Sequence, residues 1–264
     1  MRARVQDKES GRFLKSDVYA ILNTGWFARY LVLVPNDTGS YFRLFDFLDK
    51  SCAPYYPPLV NEITPDRPAE WVGGDEGLFS RVQALLVGKD VRFDWFHGYP
   101  WVLEKPELLA KLLLGESVNT EECGFPLIDT RLPGWHYVET QEDVDTLMET
   151  AGDFHDSVLK SLEYISGSRV YPDKSMTPID SLRKLKMIFE SQCTDTIELL
   201  FEGLIALNLR PKDDNWTTEI TEASVFLNEE TVFFAEDEME KEEFQPDRTC
   251  AKAYSLRWRL VPHI

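Results

Sequence analysis

The hydrophobic period of this chain changes between Ala151 and Ser157, and that change constrains the fold more than any other stretch of the sequence. Upstream, Thr140-Gln141-Glu142-Asp143 has the form of a capping box with Asp where Glu is usual, and Val144, Leu147, Met148 and Ala151 follow at helical spacing. Gly152 is placed to end that helix in the left-handed conformation. Beyond Phe154-His155-Asp156-Ser157 the apolar residues alternate. Leu185, Met187 and Phe189 share one face of a segment whose other face carries Lys184, Lys186 and Glu190. Ile197, Leu199 and Phe201 alternate with Glu198, Leu200 and Glu202, and near the C-terminus Tyr254, Leu256, Trp258 and Leu260 alternate with Ala253, Ser255, Arg257 and Arg259. A period of two with polar residues opposite is the pattern of half-buried antiparallel strands. Gly203 predicts a bulge before Ile205, and Asn228-Glu229-Glu230 predicts a hairpin between 219–227 and 231–235.

The first half is also rich in strand signals. Segments 12–22, 26–34 and 40–48 are dense in β-branched and aromatic residues and are parted by turn residues, among them Glu9-Ser10-Gly11, Thr24-Gly25 and Asn36-Asp37-Thr38-Gly39. This predicts an antiparallel meander. Residues 51–77 carry Pro54, Pro57, Pro58, Pro65 and Pro68, which forbid a long helix and predict a covering loop anchored by its aromatics. Short helices are expected at 78–86 and at 106–114, the second opening on Pro106 and closing at Gly115, and 116–134 reads as loop. The expected fold class is therefore α+β and β-rich, with antiparallel sheets and a few short helices. Two domains are expected: 1–134, a meander with covering loops and short helices, and 135–264, an acidic antiparallel-sheet domain entered by a capped helix.

Charge narrows the partners. The formal net charge is −18, and residues 141–264 carry 26 acidic against 13 basic side chains. Such a field repels phosphate backbones and attracts cationic proteins, so a basic protein partner is expected and direct nucleic-acid binding is not. No apolar run approaches the roughly 20 residues that span a bilayer, and the N-terminus lacks the apolar core of a secretion signal, so a cytoplasmic protein without membrane contact is expected. Cys52, Cys123, Cys193 and Cys250 have no metal or disulfide spacing. No metal or other cofactor is expected.

Two stretches could carry chemistry. Trp95, His97, Tyr99 and Trp101, interleaved with Asp94, would suit a stacking platform for a small ligand, or the rings of 91–95 could fill the core. His155-Asp156 is the one adjacent His-Asp pair. Such a pair ligates metal in a helical phosphohydrolase family, but the strands that follow here do not suit a helical metal site. The favoured role for His155 is a rigid joint, hydrogen-bonded to a buried carboxylate or carbonyl at the turn from helix to sheet. No GxSxG, Walker, HExxH or GxGxxG motif occurs, so no catalytic residue is assigned.

The order Trp135-His136-Tyr137-Val138, Phe154-His155-Asp156-Ser157, Ile197-Glu198-Leu199-Leu200-Phe201-Glu202-Gly203 and Leu256-Arg257-Trp258 resembles a set of uncharacterised bacterial proteins. These share an FHDS stretch leading into a strand and a β-rich C-terminal domain, and some are similar to immunity proteins encoded beside polymorphic toxins. The resemblance covers about half the chain. It marks Phe154, His155, Asp156, Ser157, Glu198, Arg257 and Trp258 as a structural motif and implies binding more than catalysis. The function expected is a non-enzymatic, immunity-like protein that neutralises a basic partner or toxin. The alternative is a small-ligand binder or hydrolase with its pocket at 93–101 or at His155-Asp156.

Overall fold

The computed structural model describes residues 2–6, 13–23, 28–36, 39–46, 70–91, 93, 95–177, 183–212, 215, 217–228 and 231–262. Asp94, the turns at 9–11, 24–25 and 37–38, most of the proline-rich loop and Glu229-Glu230 lie outside them. The chain is β-rich α+β, built on two antiparallel sheets, and divides into two compact units, Met1–Leu132 and Pro133–Ile264.

Unit 1 is organised on β1 (Arg2–Gln6), β2 (Phe13–Asn23), β3 (Ala28–Asn36) and β4 (Gly39–Asp46). β2, β3 and β4 pair in succession as a meander, while β1 pairs with the first half of β2. Short strands extend the sheet on both sides. β5 (Val72–Gly73) and β6 (Trp95–Gly98) lie beyond β2, and β7 (Val118–Asn119) lies beyond β4. Helices α1 (Glu76–Leu85), α2 (Pro100–Leu103), α3 (Pro106–Leu113) and α4 (Thr120–Cys123) complete the unit. Asp75 caps α1 by accepting from the Leu78 N–H at 2.7 Å. Leu109, Leu112 and Leu113 of α3 join Val18 to Leu22, Leu31, Val32 and Phe42 in one core. Segment 116–134, read as loop, contains β7 and α4. Two-residue strands and single-turn helices leave no periodicity to read.

Unit 2 begins with β8 (His136–Val138) and α5 (Gln141–Ala151), then a 3-10 turn at Gly152–Phe154. The strands that follow are β9 (Ser157–Ile165), β10 (Arg169–Val170), β11 (Met176–Thr177), β12 (Lys184–Ser191), β13 (Thr196–Asn208), β14 (Glu219–Ile220), β15 (Ser224–Leu227), β16 (Val232–Ala235) and β17 (Cys250–Val261). The main sheet runs β14-β9-β12-β13-β17-β16-β15, with β8 also on β17. On one face Val144, Leu147 and Ala151 of α5 pack with Leu185, Met187, Phe189, Ile197, Leu199, Phe201, Leu256 and Trp258.

β12 alternates between buried and half-buried positions as expected, but the central β13 and most of β17 do not. Thr196 to Leu204 of β13 are buried without a break, so both faces of that strand are closed to water. Glu198, Glu202, Lys184 and Arg257, expected on a solvated face, are themselves buried. Buried charges are tolerated where they pair, and these do, as described below. The bulge lies where expected: the β13–β17 register shifts between Leu204 and Ala206, two residues past Gly203, whose φ is +64°.

Candidate functional site

The joint from helix to sheet is built from the residues at which the period changes. Thr140 and Asp143 form a full capping box. The Asp143 N–H donates to Thr140 Oγ1 at 3.2 Å, and the Thr140 N–H donates to Asp143 Oδ2 at 2.7 Å. Gly152 ends α5 at φ +59°, and Asp153, Phe154 and Asp156 also adopt positive φ, at +53°, +61° and +54°. For a residue as bulky as Phe this conformation is rare and costs on the order of 1–3 kcal/mol. Burial offsets it. The Phe154 ring is fully enclosed, edge-on to Phe189 at 5.1 Å and Phe234 at 5.5 Å. Three backbone bonds hold the turn: the His155 N–H to the Gly152 carbonyl, the Ala223 N–H to that of Asp153 at 2.8 Å, and the Gln192 N–H to that of Asp156 at 3.0 Å.

His155 does not play the part expected of it. Its side chain is 61% exposed, and its Nδ1 lies 3.1 Å from Asp156 Oδ2, on a side chain 35% exposed. The pair sits on the surface, and the buried element of the joint is Phe154. Ser157 is fully buried, and its Oγ donates to the His155 backbone carbonyl at 3.4 Å rather than to an imidazole nitrogen. No nucleophile–base pair is assembled there.

The other motif residues lie on β13 and β17. Arg257 is 0% exposed and Glu202 is 2% exposed. Arg257 Nη1 donates to Tyr137 Oη at 3.1 Å, Nη2 lies 3.6 Å from Glu202 Oε1, and Lys184 Nζ reaches the same oxygen at 3.7 Å. Glu198 accepts from Arg259 Nε and lies at 2.7 Å from Nη2 as well. The Trp135 ring covers both arginines, with guanidinium carbons 4.8 Å and 4.4 Å from its centre. Trp258 belongs to the opposite, apolar face and stacks on His136 at 4.4 Å. Lys184 and Arg259 were not marked as motif residues from sequence, and Trp135, Tyr137 and Glu202 were quoted only within the stretches that carry the resemblance. The alternation places each on a face, but only the strand register brings them together.

In unit 1, Tyr99 and Trp101 stack on each other at 5.6 Å with planes 5° apart. Tyr99 also meets Trp71, and Trp101 meets Tyr19 and Phe125. Tyr99 is 2% exposed, and burial, with Glu70 adding to it, pushes its hydroxyl up to about 12. These rings close a core. His97 is half-buried beside Gly73, and the Trp95 side chain lies outside the described residues.

Two acidic segments of unit 2 behave differently. In 236–243, Glu236 meets Lys212 at 3.7 Å, Asp237 meets Arg248 at 3.3 Å and Glu242 meets Lys252. Between Glu139 and Asp156 the chain holds seven carboxylates and neither Lys nor Arg. Glu142, Asp145, Glu149 and Asp153 there are exposed, and none forms an ion pair with a described cation. Among the described residues no group of three or more His, Cys, Asp or Glu side chains is placed to hold a metal ion, and no helix is long and apolar enough to cross a membrane. No protein-family model matches the chain, and no curated protein or solved structure matches it.

Proposed function

We propose that this is a non-enzymatic protein-binding protein, immunity-like in kind, that neutralises a basic partner in the bacterial cytoplasm through the acidic face of α5. The observation that carries this reading is the unpaired set Glu142, Asp145 and Glu149 on the outward side of a rigidly capped helix. Carboxylates early in a helix are favoured by its dipole, whereas Glu149, in the last turn, is mildly disfavoured there. Folding therefore does not account for that carboxylate, and a cationic partner does. A fixed field of one sign speeds and orients association with the opposite sign.

The small-ligand and hydrolase alternatives draw less support, since Tyr99 is enclosed in a core and Ser157 is bonded to a backbone carbonyl. Co-expression and pull-down with the product of the adjacent gene test the reading. A stable complex, with rescue of growth if that product is toxic, is expected. Charge reversal at Glu142, Asp145 and Glu149 together is expected to abolish both. A complex indifferent to that reversal would sink the proposal.

A further inference from the structure

The two end strands of the main sheet of unit 2 meet. β14 and β15 are joined by residues 221–223 alone, and the four Cα–Cα steps from Ile220 to Ser224 span at most about 14 Å. The joint at the end of α5 lies at this seam. β14 pairs with β9 through Glu219↔Val158 and Ile220↔Ser157, the Ala223 N–H donates to the Asp153 carbonyl at 2.8 Å, and α5 packs against β15. Ile220 and Ala223 belong to the core that also encloses Phe154. Segment 219–223 is thus a strap drawn across the end of that core.

Little holds the strap in place. β9 pairs with β12 from Ser157 to Ile165, whereas its ladder with β14 is two residues long. Ile220 and Ala223 are buried, but Glu219, Thr221 and Glu222 are exposed, as are Thr217 and Thr218 before them. Segments with short ladders and few buried apolar groups open locally at a fraction of the free energy of global unfolding.

Charge works against closure. Glu219 stands opposite Val158, two residues from Asp156, and Glu222 precedes the residue bonded to Asp153. Asp153, Glu219 and Glu222 are exposed, and none forms an ion pair with a described cation. Segments 139–156 and 213–240, which meet here, contain neither Lys nor Arg. Like charges facing one another across paired strands destabilise the pairing, so folding alone would be better served by neutral residues. We propose that segment 219–223 opens and recloses while the rest of the sheet stays folded, that the carboxylates on its two sides oppose closure, and that a cationic protein segment at the seam favours it. A cation between the two sets of carboxylates interacts best with the closed form, where they lie closest, and shifts the population toward it. This last step rests on the acidic-face reading, because α5 runs directly into the Asp153 turn.

Native-state amide hydrogen exchange on the full chain tests the strap. The Ala223 amide should exchange about tenfold or more faster than that of Leu199 in the central strand β13, which exchanges only when the unit unfolds. Asp153→Asn together with Glu222→Gln should slow Ala223 by about threefold or more without the same change at Leu199, since Asn tolerates the left-handed backbone as Asp does. A short lysine peptide added to the unaltered chain should slow Ala223 likewise and should lose most of that effect on the double variant. Exchange of Ala223 at the rate of Leu199 would overturn the strap, and an unchanged rate in the double variant would overturn the opposing charge. Slowing by the substitutions but not by the peptide would overturn closure by a cationic partner. The strap is judged by the first two measurements and the acidic face by the adjacent-gene complex, so that either can fail alone.

Discussion

Unit 2 carries its charge in two contrasting ways. The ladder of Lys184, Glu202, Arg257 and Tyr137 is sealed inside, each charge within reach of an opposite one, while Glu142, Asp145 and Glu149 of α5 stand in water with no ion pair to a described cation. In the first, each charge is part of the fold, because desolvation makes a missing partner expensive. In the second the charges contribute little to folding, and removing one changes a surface. The difference separates residues that hold this unit together from residues free to serve a partner.

The largest expected effect is on the ladder. Arg257→Ala should take from Glu202 one of the cations that neutralise it in the interior and cost about 3–5 kcal/mol, read as a lowered urea midpoint. A loss under about 1 kcal/mol would mean that the ladder is not the internal frame described here. Replacing Arg257 and Glu202 together by apolar residues of similar volume should recover much of that loss. The bulge should respond next. A Cβ on Gly203 would lie 2.7 Å from the Tyr254 ring at a positive φ, so Gly203→Ala should destabilise by roughly 1–3 kcal/mol.

A buried hydroxyl in unit 1 extends the comparison to pH. Burial raises Tyr99 from the ordinary 10 to about 12, so the folded state holds this proton more tightly than the unfolded one. Its contribution is fully present below pH 10 and is lost as pH rises from about 10 to about 12. Alkaline unfolding curves should show that slope, and Tyr99→Phe should flatten it. An unchanged slope would assign the alkaline loss to other groups.

How much of this was visible in the sequence depends on the range of the contacts involved. The capping box of α5, its glycine stop and the bulge after Gly203 are local, and side chains within a few residues specify them. Strand faces were legible too, because alternation is a property of one segment. What alternation cannot tell is whether the polar face meets water. Glu202 and Arg257 look like surface residues until the register places them beside Lys184 and Tyr137. The hairpin expected at 219–227 shows the same limit. Glu219–Ile220 leaves it to pair with β9, and Ala223 bonds to Asp153, a residue 70 positions earlier by number. Likewise, adjacency of His155 and Asp156 in sequence suggested a buried joint, but the positive φ of Phe154 and Asp156 directs Phe154 inward and leaves the polar pair outside.

The smallest expected effects on stability lie at that exposed joint and on α5, and they are where the comparison is most open to failure. His155→Ala removes one surface contact and should change stability by no more than about 0.5 kcal/mol, against the 3 kcal/mol or more expected at Arg257. Charge reversal of Glu142, Asp145 and Glu149 together should also leave the unfolding midpoint nearly unchanged. A loss at Glu142, where the helix dipole favours a carboxylate, is offset by a gain at Glu149, where it disfavours one. Binding to a basic partner should nevertheless collapse, and in the unaltered protein it should weaken steeply with added salt. If the triple reversal instead unfolds the protein, the α5 carboxylates belong with the buried ladder, and the distinction between charge that builds the fold and charge that serves a partner fails.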